Sequence, residues 1–130
     1  MLLAGDIGGT KSRLALFEVD GPRLRRVARA TYPSRDYQGL DQILRKFLAD
    51  HAQPADLICL GIAGPVRQGR VETPNLPWLV DAGHLTDEVR GGPVTLLNDL
   101  EANAYGLRAL GPDDFAVLNP GAPARRCPGR

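Results

Sequence analysis

The sequence predicts an α/β protein: a mixed β-sheet with helices packed on it, in the order β-β-β-α-β-α-β-α. Three observations support this fold class. Residues 1–32 contain apolar or alternating runs separated by glycine-containing turns, as in antiparallel strands. A segment with helical spacing follows over residues 40–48, and two short apolar runs then flank a second helical segment. Strands that alternate with helices are typical of parallel pairing, so the complete sheet is predicted to be mixed.

The composition describes one globular domain. The chain has 130 residues, of which 43% are hydrophobic and 24% are charged, which is enough to build a core. A net charge of +1 and an aromatic content of 5% give no reason to expect nucleic acid or an acidic membrane surface as a partner. No apolar run reaches the length of a membrane span, and Gly5 and Asp6 interrupt the first one, so no secretory signal is expected. The two cysteines, Cys59 and Cys127, form no disulfide framework or zinc spacing, which fits a cytoplasmic location.

The first half of the chain is predicted as three strands and a helix. Strands over residues 1–6 and 13–19 pair around a glycine turn, and a third strand is expected over 24–32. The helix that follows is amphipathic and is expected to end at Pro54. Its apolar residues, at i, i+3, i+4, i+7 and i+8, are Leu40, Ile43, Leu44, Phe47 and Leu48.

In the second half, short apolar runs at 57–63 and 94–97 are predicted as strands buried on both faces. A loop with short strands around 68–71 lies between them, followed by a helix with Thr86 as its N-cap. Another helix begins at Asn98 and ends at Gly111-Pro112, and a last strand is expected over 115–118. The predicted domain is therefore 1–118, followed by an irregular tail over 119–130 with no periodicity.

The segment Gly5-Asp6-Ile7-Gly8-Gly9-Thr10-Lys11 predicts a phosphate-binding turn between two strands. Gly8 and Gly9 can adopt positive φ, and without Cβ atoms they let a phosphate approach the backbone N–H groups. Asp6 ends the first strand, where its carboxylate would face Mg²⁺ or a metal-bound water. The alternative is an ordinary Gly-Gly hairpin turn, and the segment matches neither a Walker A loop nor the dinucleotide fingerprint.

A second candidate site is the junction at Asn98 and Asp99, where a buried strand becomes a helix. Ligands of open α/β sheets bind at the carboxyl ends of strands. Asp99 could accept a proton from a substrate hydroxyl, and the helix N-terminus favours its ionised form. Asn98 could donate to and accept from sugar hydroxyls. The alternative is helix capping, which Asn and Asp both favour, and one junction can serve both purposes.

A third candidate combines residues 61–66, a strand that ends in a tight turn, with a proline-bracketed loop over 73–78. The loop offers Thr73 and Asn75 for recognition of a polyol. Trp78, the only tryptophan of the chain, is expected to pack into the core instead.

Four segments, GDIGGTKSRLALFE, GIAGPV, TPNLPW and LLNDLEANAYGL, together resemble bacterial glucokinases in order and spacing, over residues 1–121. The resemblance implies the N-terminal domain of the actin-like, ribonuclease H-related sugar kinase fold, with ATP and Mg²⁺ as cofactors and glucose as acceptor. By position, Asp99 would be the catalytic base, Asn98 and Asp99 would bind the sugar, and Asn75 would make a further sugar or loop-organising contact. Lys11 stands where this family often has Asn after Gly-Gly-Thr, and at this position the chain resembles the related ROK sugar kinases. The residues carried over to the nucleotide phosphates are Gly5, Asp6, Ile7, Gly8, Gly9 and Thr10, with Asp6 also at the metal.

The resemblance also implies a second domain, with another glycine-rich phosphate site and glutamate and histidine ligands for the sugar, which these residues do not contain. The arginine-, proline- and glycine-rich ending from Ala124 to Arg130 is what a GC-rich gene read out of frame would give. We therefore expect a truncated or frameshifted glucokinase that is inactive alone. Its uncovered interdomain face would favour a homodimer or other self-association.

Two other functions remain open from the sequence, and a third is disfavoured. One is a non-catalytic module that binds a sugar or nucleotide. Another is a kinase for a different hexose, such as an N-acetylated hexosamine. A ROK-type transcription regulator would need a helix-turn-helix ahead of the phosphate motif, which starts at Gly5.

Overall fold

The structure is a computed structural model that describes residues 1–119 and 121. The predicted tail over 119–130 lies almost entirely outside the described residues. Three short 3₁₀ turns occur at Ser34–Asp36, Leu107–Ala109 and Pro112–Asp114. The strands and helices, in chain order, are β1 (Leu2–Ile7), β2 (Lys11–Asp20), β3 (Arg23–Pro33), α1 (Leu40–His51), β4 (Leu57–Ile62), β5 (Arg70–Glu72), β6 (Leu79–Asp81), α2 (Ala82–Glu88), β7 (Val94–Asn98) and α3 (Asp99–Gly106).

The main sheet has five strands in the order β3-β2-β1-β4-β7. Strands β1, β2 and β3 pair antiparallel, whereas β1, β4 and β7 pair parallel, so the predicted mixed α/β architecture is confirmed. The parallel strands are in register at their ends: Ile7 lies opposite Ile62, and Ile62 lies opposite Asn98. The segments that follow these three residues therefore share one border of the sheet, which we call the carboxyl edge.

The structure has two short strands more than the predicted element order. Strands β5 and β6 form a separate antiparallel pair between β4 and α2. The predicted strand over 115–118 is wrong, because these residues follow the last 3₁₀ turn without strand geometry. Phe115, Val117 and Leu118 are mostly exposed, and no strand of the described chain lies beside them to supply the hydrogen bonds a strand needs.

Helix α2 begins earlier than predicted. Its N-cap is Asp81, not Thr86: Oδ1 of Asp81 accepts a hydrogen bond of 2.9 Å from the His84 N–H. Asp81 also ends β6, so its extended backbone already has the conformation an N-cap requires. Thr86 lies near the end of the helix, where its Oγ1 donates to the Ala82 carbonyl (2.8 Å) and accepts from the Val94 N–H (3.0 Å). Thr86 therefore joins α2 to the start of β7.

Helices α1 and α3 both end earlier than the sequence predicted. Helix α1 ends at His51, before Pro54, because Ala52 adopts the left-handed conformation with φ 49°. Helix α3 ends at Gly106, before the predicted Gly111-Pro112, and a 3₁₀ turn continues the chain. No residue of α3 is buried.

The hydrophobic core is formed by the sheet together with α1, α2 and the β5–β6 hairpin. The apolar stripe predicted for α1 faces the sheet, with Leu40, Ile43, Leu44 and Phe47 each at most 2% exposed. The side chains that β1, β2 and β4 contribute to this core are Leu3, Ile7, Leu14, Leu16, Ile58, Leu60 and Ile62.

Trp78 was expected in the core, and Cys59 lies in the predicted buried strand over 57–63. Trp78 is buried as expected, and its Nε1 donates to the Tyr37 carbonyl at 3.2 Å. Cys59 is only half-buried, although this burial raises the pKa of its thiol. Within the described residues, none of the helices combines the length and apolarity needed to cross a bilayer.

Asp81 makes the stability of the domain depend on acid pH. The His84 N–H and then the Arg70 guanidinium lower the pKa of the Asp81 carboxyl. A carboxyl whose pKa is lowered by folding stabilises the fold above its ordinary pKa, and this contribution is lost as the pH falls through the folded value. We therefore expect the difference in melting temperature between wild type and Asp81→Asn to shrink below about pH 4. Thermal unfolding from pH 7 to pH 3 measures this difference, and a constant difference would contradict the assignment.

Candidate active site

Three of the sequence motifs meet at the carboxyl edge. The Gly8-Gly9 turn follows β1, the Ala63-Gly64 turn follows β4, and Asp99 follows β7. The N–H of Ala63 donates to the Ile7 carbonyl at 3.3 Å, which holds the first two turns side by side. Segments far apart in sequence are thus brought to one border because the strands before them are parallel and in register.

The glycine turn is held by hydrogen bonds within the hairpin and from outside it. The Gly8 N–H donates to the Lys11 carbonyl at 3.0 Å. The Ser34 hydroxyl donates to the Gly8 carbonyl at 2.7 Å, and the Ser34 N–H donates to the Thr10 carbonyl at 3.0 Å. The expectation of positive φ at Gly8 and Gly9 is wrong, since neither glycine adopts it. Space explains the glycine at position 8, because a Cβ there would lie 3.0 Å from the Lys11 carbonyl oxygen.

Gly9 is also a contact point between two motifs. A Cβ added at Gly9 would lie only 2.9 Å from the Cβ of Asn75, so the loop at 73–78 passes directly over the glycine turn. Thr73 stabilises that loop, since its Oγ1 lies 3.1 Å from the Leu76 carbonyl and 3.3 Å from the Trp78 carbonyl. The structure therefore places the exposed Asn75 beside the predicted phosphate-binding turn.

Asn98 caps helix α3, as the alternative interpretation of this residue predicted. Its Oδ1 accepts from the Leu100 N–H at 3.0 Å, and its Nδ2 donates to the Gly64 carbonyl at 2.8 Å. These two bonds fix the β7–α3 junction against the turn that follows β4. Each polar atom of the Asn98 amide has further hydrogen-bonding capacity, because Nδ2 carries two hydrogens and Oδ1 two lone pairs.

Asp99 is half-buried at the first residue of α3. One carboxylate oxygen, Oδ1, accepts from the Leu100 N–H at 3.0 Å. No hydrogen bond from the described part of the chain reaches Oδ2, which is therefore available to a substrate hydroxyl. Gly61 on β4 lies against this junction: a Cβ at Gly61 would be 3.1 Å from the Cβ of Ala102. The absence of a side chain at Gly61 lets α3 pack closely on the sheet.

Asp6 is paired with a residue that the sequence analysis missed. Arg13 lies opposite Asp6 in the register of β1 and β2, and its Nη1 donates to Oδ2 of Asp6 at 2.9 Å. Both side chains are exposed, at 62% for Arg13 and 63% for Asp6. The hairpin predicted around the glycine turn was the signal that could have revealed this pair, since residues equally distant from a turn face each other.

Asp6 is the acidic residue of the glycine segment and the sequence-predicted contact of Mg²⁺. Mg²⁺ usually keeps several water ligands and takes only one or two carboxylates from the protein. Among the residues that the structure describes, no group of three or more His, Cys, Asp and Glu side chains could hold a metal ion by itself. The exposed Asp6 carboxylate, ion-paired with Arg13, is therefore the single carboxylate that the glycine segment offers to such an ion.

Two open cavities flank the carboxyl edge. One has a volume of about 680 Å³ and lies on the outer face of the sheet beside Asp6, with Arg13, Arg26 and Arg29 among its lining residues. The other has a volume of about 920 Å³ and lies beside the β5–β6 hairpin, between Pro65 and Pro74. Both are open to solvent and large enough for groups of the size of a sugar or a nucleotide.

The contact between Gly9 and Asn75 can be tested by one methyl group. Gly9 does not have positive φ, so Gly9→Ala probes the contact and not backbone strain. We expect a loss of about 1 kcal/mol in the free energy of unfolding, because one of the two loops must move. Gly106→Ala is the matched control, since its Cβ meets no atom within 4 Å and alanine favours the helix. Urea unfolding measures both variants, and wild-type stability of Gly9→Ala would show that the loops do not touch.

Comparisons with known proteins identify glucokinases as relatives of this chain. The Glucokinase family model matches residues 3–128. The glucokinase of Nostoc punctiforme is 35% identical over 130 residues, which cover 98% of this chain and 38% of that protein. The glucokinase of Caulobacter vibrioides is 34% identical over 120 residues, which cover 89% of this chain and 35% of that protein. The chain thus spans little more than a third of the length of these relatives.

Solved structures agree in fold. A glucokinase from an Antarctic psychrotroph superimposes with a TM-score of 0.75 and 30% identity, covering 86% of this chain and 36% of that one. A Listeria monocytogenes protein provisionally described as an N-acetylmannosamine kinase gives a TM-score of 0.65 at 23% identity, over 87% of this chain and 40% of that one. The second likeness shows the fold alone. The fold is the actin-like α/β fold of sugar kinases, and the chain belongs to the glucokinase family.

Proposed function

We propose that this chain supplies the N-terminal domain of an ATP-dependent glucokinase, which transfers the γ-phosphoryl group of ATP to the 6-hydroxyl of glucose. The observation that carries the proposal is the arrangement at the carboxyl edge. In a chain of the glucokinase family, the glycine turn after β1 and the Asp99 carboxylate after β7 lie at the same border of one sheet. A phosphate donor and a hydroxyl acceptor bound there would be neighbours.

Asp99 is proposed as the catalytic base. Its Oδ2 would accept the proton of the attacking hydroxyl as the bond between oxygen and phosphorus forms. Phosphoryl transfer depends mostly on positioning and charge stabilisation, so the contact also orients the hydroxyl. Asn98 would bind the sugar through the hydrogen-bonding capacity left after capping, and Asn75 would make a less direct sugar or loop-organising contact.

The segment from Gly5 to Thr10 is proposed to hold the nucleotide phosphates, with the contacts made by backbone N–H groups of the turn that follows β1. Asp6 would hold Mg²⁺ directly or through a water molecule. When bound, Mg²⁺ neutralises charge on the phosphate oxygens of the nucleotide. Arg13 would lie beside this site, where its guanidinium both orients Asp6 and adds positive charge near the phosphates.

The domain organisation is also part of the proposal. Residues 1–118 would form the N-terminal domain, and a second domain would complete the cleft, so the 130-residue chain should be inactive alone. A cytoplasmic location follows from the proposed role in glucose metabolism. The alternatives are a non-catalytic binding module and a kinase for another hexose. The likeness to the Listeria protein and the presence of Lys11 favour testing N-acetylated hexosamines beside glucose.

A chimeric enzyme tests the role of Asp99. Residues 1–118 joined to the remaining part of the Nostoc punctiforme glucokinase should phosphorylate glucose. Asp99→Asn in this chimera should lower kcat by about 100-fold or more, because the amide cannot accept the hydroxyl proton. A coupled assay of glucose 6-phosphate formation measures this rate, with Asp87→Asn on the exposed face of α2 as the control.

Near-normal turnover of the Asp99→Asn chimera would contradict the assignment of the base. A chimera that prefers an N-acetylated hexosamine would favour the alternative substrate. Rapid phosphorylation of glucose by the unmodified 130-residue chain would contradict the need for a second domain.

The exposed apolar residues from α3 onwards support the prediction of self-association. Six of them are more than half exposed: Leu100, Tyr105, Leu107, Phe115, Val117 and Leu118. We propose that the second domain covers this surface in the complete enzyme and that the 130-residue chain associates through it. Sedimentation equilibrium should show concentration-dependent dimers or larger species, which Leu100→Asp with Leu107→Asp disperses. Leu79→Asp, which changes an exposed leucine on the β5–β6 hairpin, should not disperse them. A wild-type chain that stays monomeric at high concentration would contradict this proposal.

A further inference from the structure

Two hydroxyl groups are buried beneath the glycine turn. Ser12 on β2 and Ser34 after β3 are both 0% exposed, and they are the buried polar side chains of the part of the chain that the structure describes. Their Oγ atoms lie 2.9 Å apart. Neither residue belongs to the segment predicted to touch the nucleotide.

The hydrogen bonds of this pair run in one direction. The Ser34 hydroxyl donates to the Gly8 carbonyl at 2.7 Å. A hydroxyl has a single hydrogen, so the bond between the two serines must be donated by Ser12 and accepted by Ser34. Ser12 therefore fixes the rotation of the Ser34 hydroxyl, and Ser34 fixes the carbonyl of Gly8.

Ser34 holds the turn on both sides of Gly9. Besides the bond from its hydroxyl to Gly8, its backbone N–H donates to the Thr10 carbonyl at 3.0 Å. The two carbonyls that bracket Gly9 are thus both bonded to one buried residue. A turn anchored at two points of this kind has little freedom to rotate the peptide planes of Gly8 and Thr10.

The orientation of the Gly8 carbonyl determines the orientation of the next N–H group. The peptide bond is planar and trans here, so the Gly9 N–H points opposite to the Gly8 carbonyl. The Gly8 carbonyl accepts from the buried Ser34 hydroxyl, and the Gly9 N–H therefore points away from Ser34. No hydrogen-bond acceptor for this N–H lies among residues 1–119 and 121.

We propose that Ser12 and Ser34 are positioning residues of the phosphate site: the relay from Ser12 to Ser34 to the Gly8 carbonyl aims the Gly9 N–H at a nucleotide phosphate. The inference rests on the proposed function, because it assumes that the glycine turn binds phosphate. Removing the Ser34 hydroxyl leaves the Gly8 carbonyl without its buried partner and frees this peptide to rotate. The N–H would then have to be reoriented each time a phosphate binds, which lowers affinity.

If the serine pair had a purely structural role, it would hold the start of β2 to the end of β3 without affecting the Gly9 N–H. The two roles differ in a readout that stability alone does not give. Thr86→Ala is a matched control. The Thr86 hydroxyl also makes two hydrogen bonds, at 2.8 and 3.0 Å, but its partners are the Ala82 carbonyl and the Val94 N–H and not the glycine turn. This variant should lower the melting temperature without changing the glycine turn.

The experiment compares wild type, Ser34→Ala, Ser12→Ala and Thr86→Ala in the 130-residue chain by amide NMR. In the free protein, Ser34→Ala should broaden or shift the Gly9 amide resonance, and Thr86→Ala should leave it unchanged. In titrations with Mg·ATP, Ser34→Ala should raise Kd by about tenfold, the loss expected for one well-oriented hydrogen bond. Ser12→Ala keeps the Ser34 hydroxyl and should raise Kd by about threefold, the part of that loss due to a free hydroxyl rotor.

The two readouts separate this inference from the proposed function. An unchanged Gly9 resonance in Ser34→Ala overturns the positioning role. The same holds if Ser34→Ala and Thr86→Ala weaken Mg·ATP equally. If the wild-type chain binds no Mg·ATP while Ser34→Ala still disorders the Gly9 amide, the phosphate-binding function fails, and the serine relay is shown only to orient the Gly9 N–H. Should Ser34→Ala not fold, Ser12→Ala decides: a Gly9 resonance identical to wild type overturns the relay, and a shifted one supports it.

Discussion

The parallel pairing of β1 with β4 and of β4 with β7 is the interaction on which the rest of the structure depends. Its register ends all three strands at the same height, at Ile7, Ile62 and Asn98. A displacement of one pair by a single residue would turn the core side chains of a strand to the opposite face. The hydrophobic residues that specify the core therefore also specify which turns become neighbours, and the candidate site is a consequence of core packing.

Strand β1 is packed closely against both of its neighbours. A Cβ at Gly5 would lie 2.6 Å from Cδ2 of Leu60 and 2.8 Å from Cδ2 of Leu14, so the neighbouring strands pack their leucines over a position without a side chain. The glycine that begins the phosphate motif is thus explained by the core and not by a ligand. A motif residue can be required for folding while the next residues, Asp6 and Gly9, face the site.

The sequence predicted the parts of the fold that depend on local patterns. The helical spacing in α1 and the apolar runs of β4 and β7 specified the core elements, and the strand-to-helix junction correctly marked Asn98 as a cap. What failed depended on partners distant in sequence. Thr86 and Asp81 are both acceptable caps, and only the presence of β6 decides between them. The relay from Ser12 to Ser34 has no sequence pattern, because the two residues meet only through the pairing of β2 with β3.

Strand β7 is an edge strand of the sheet, hydrogen-bonded on one side only, and this affects the local stability of the candidate site. An outer strand is hydrogen-bonded to one neighbour only, and segments of this kind open in local fluctuations that leave the centre of a sheet intact. Asp99 stands at the end of this strand, whereas the glycine turn extends from the central β1–β2 hairpin. Asp99 therefore lies in a region of lower local stability than the glycine turn. The hydrogen bond from the Val94 N–H to Thr86 stabilises the start of β7. A residue outside the candidate site therefore helps to keep the Asp99 side of the site folded.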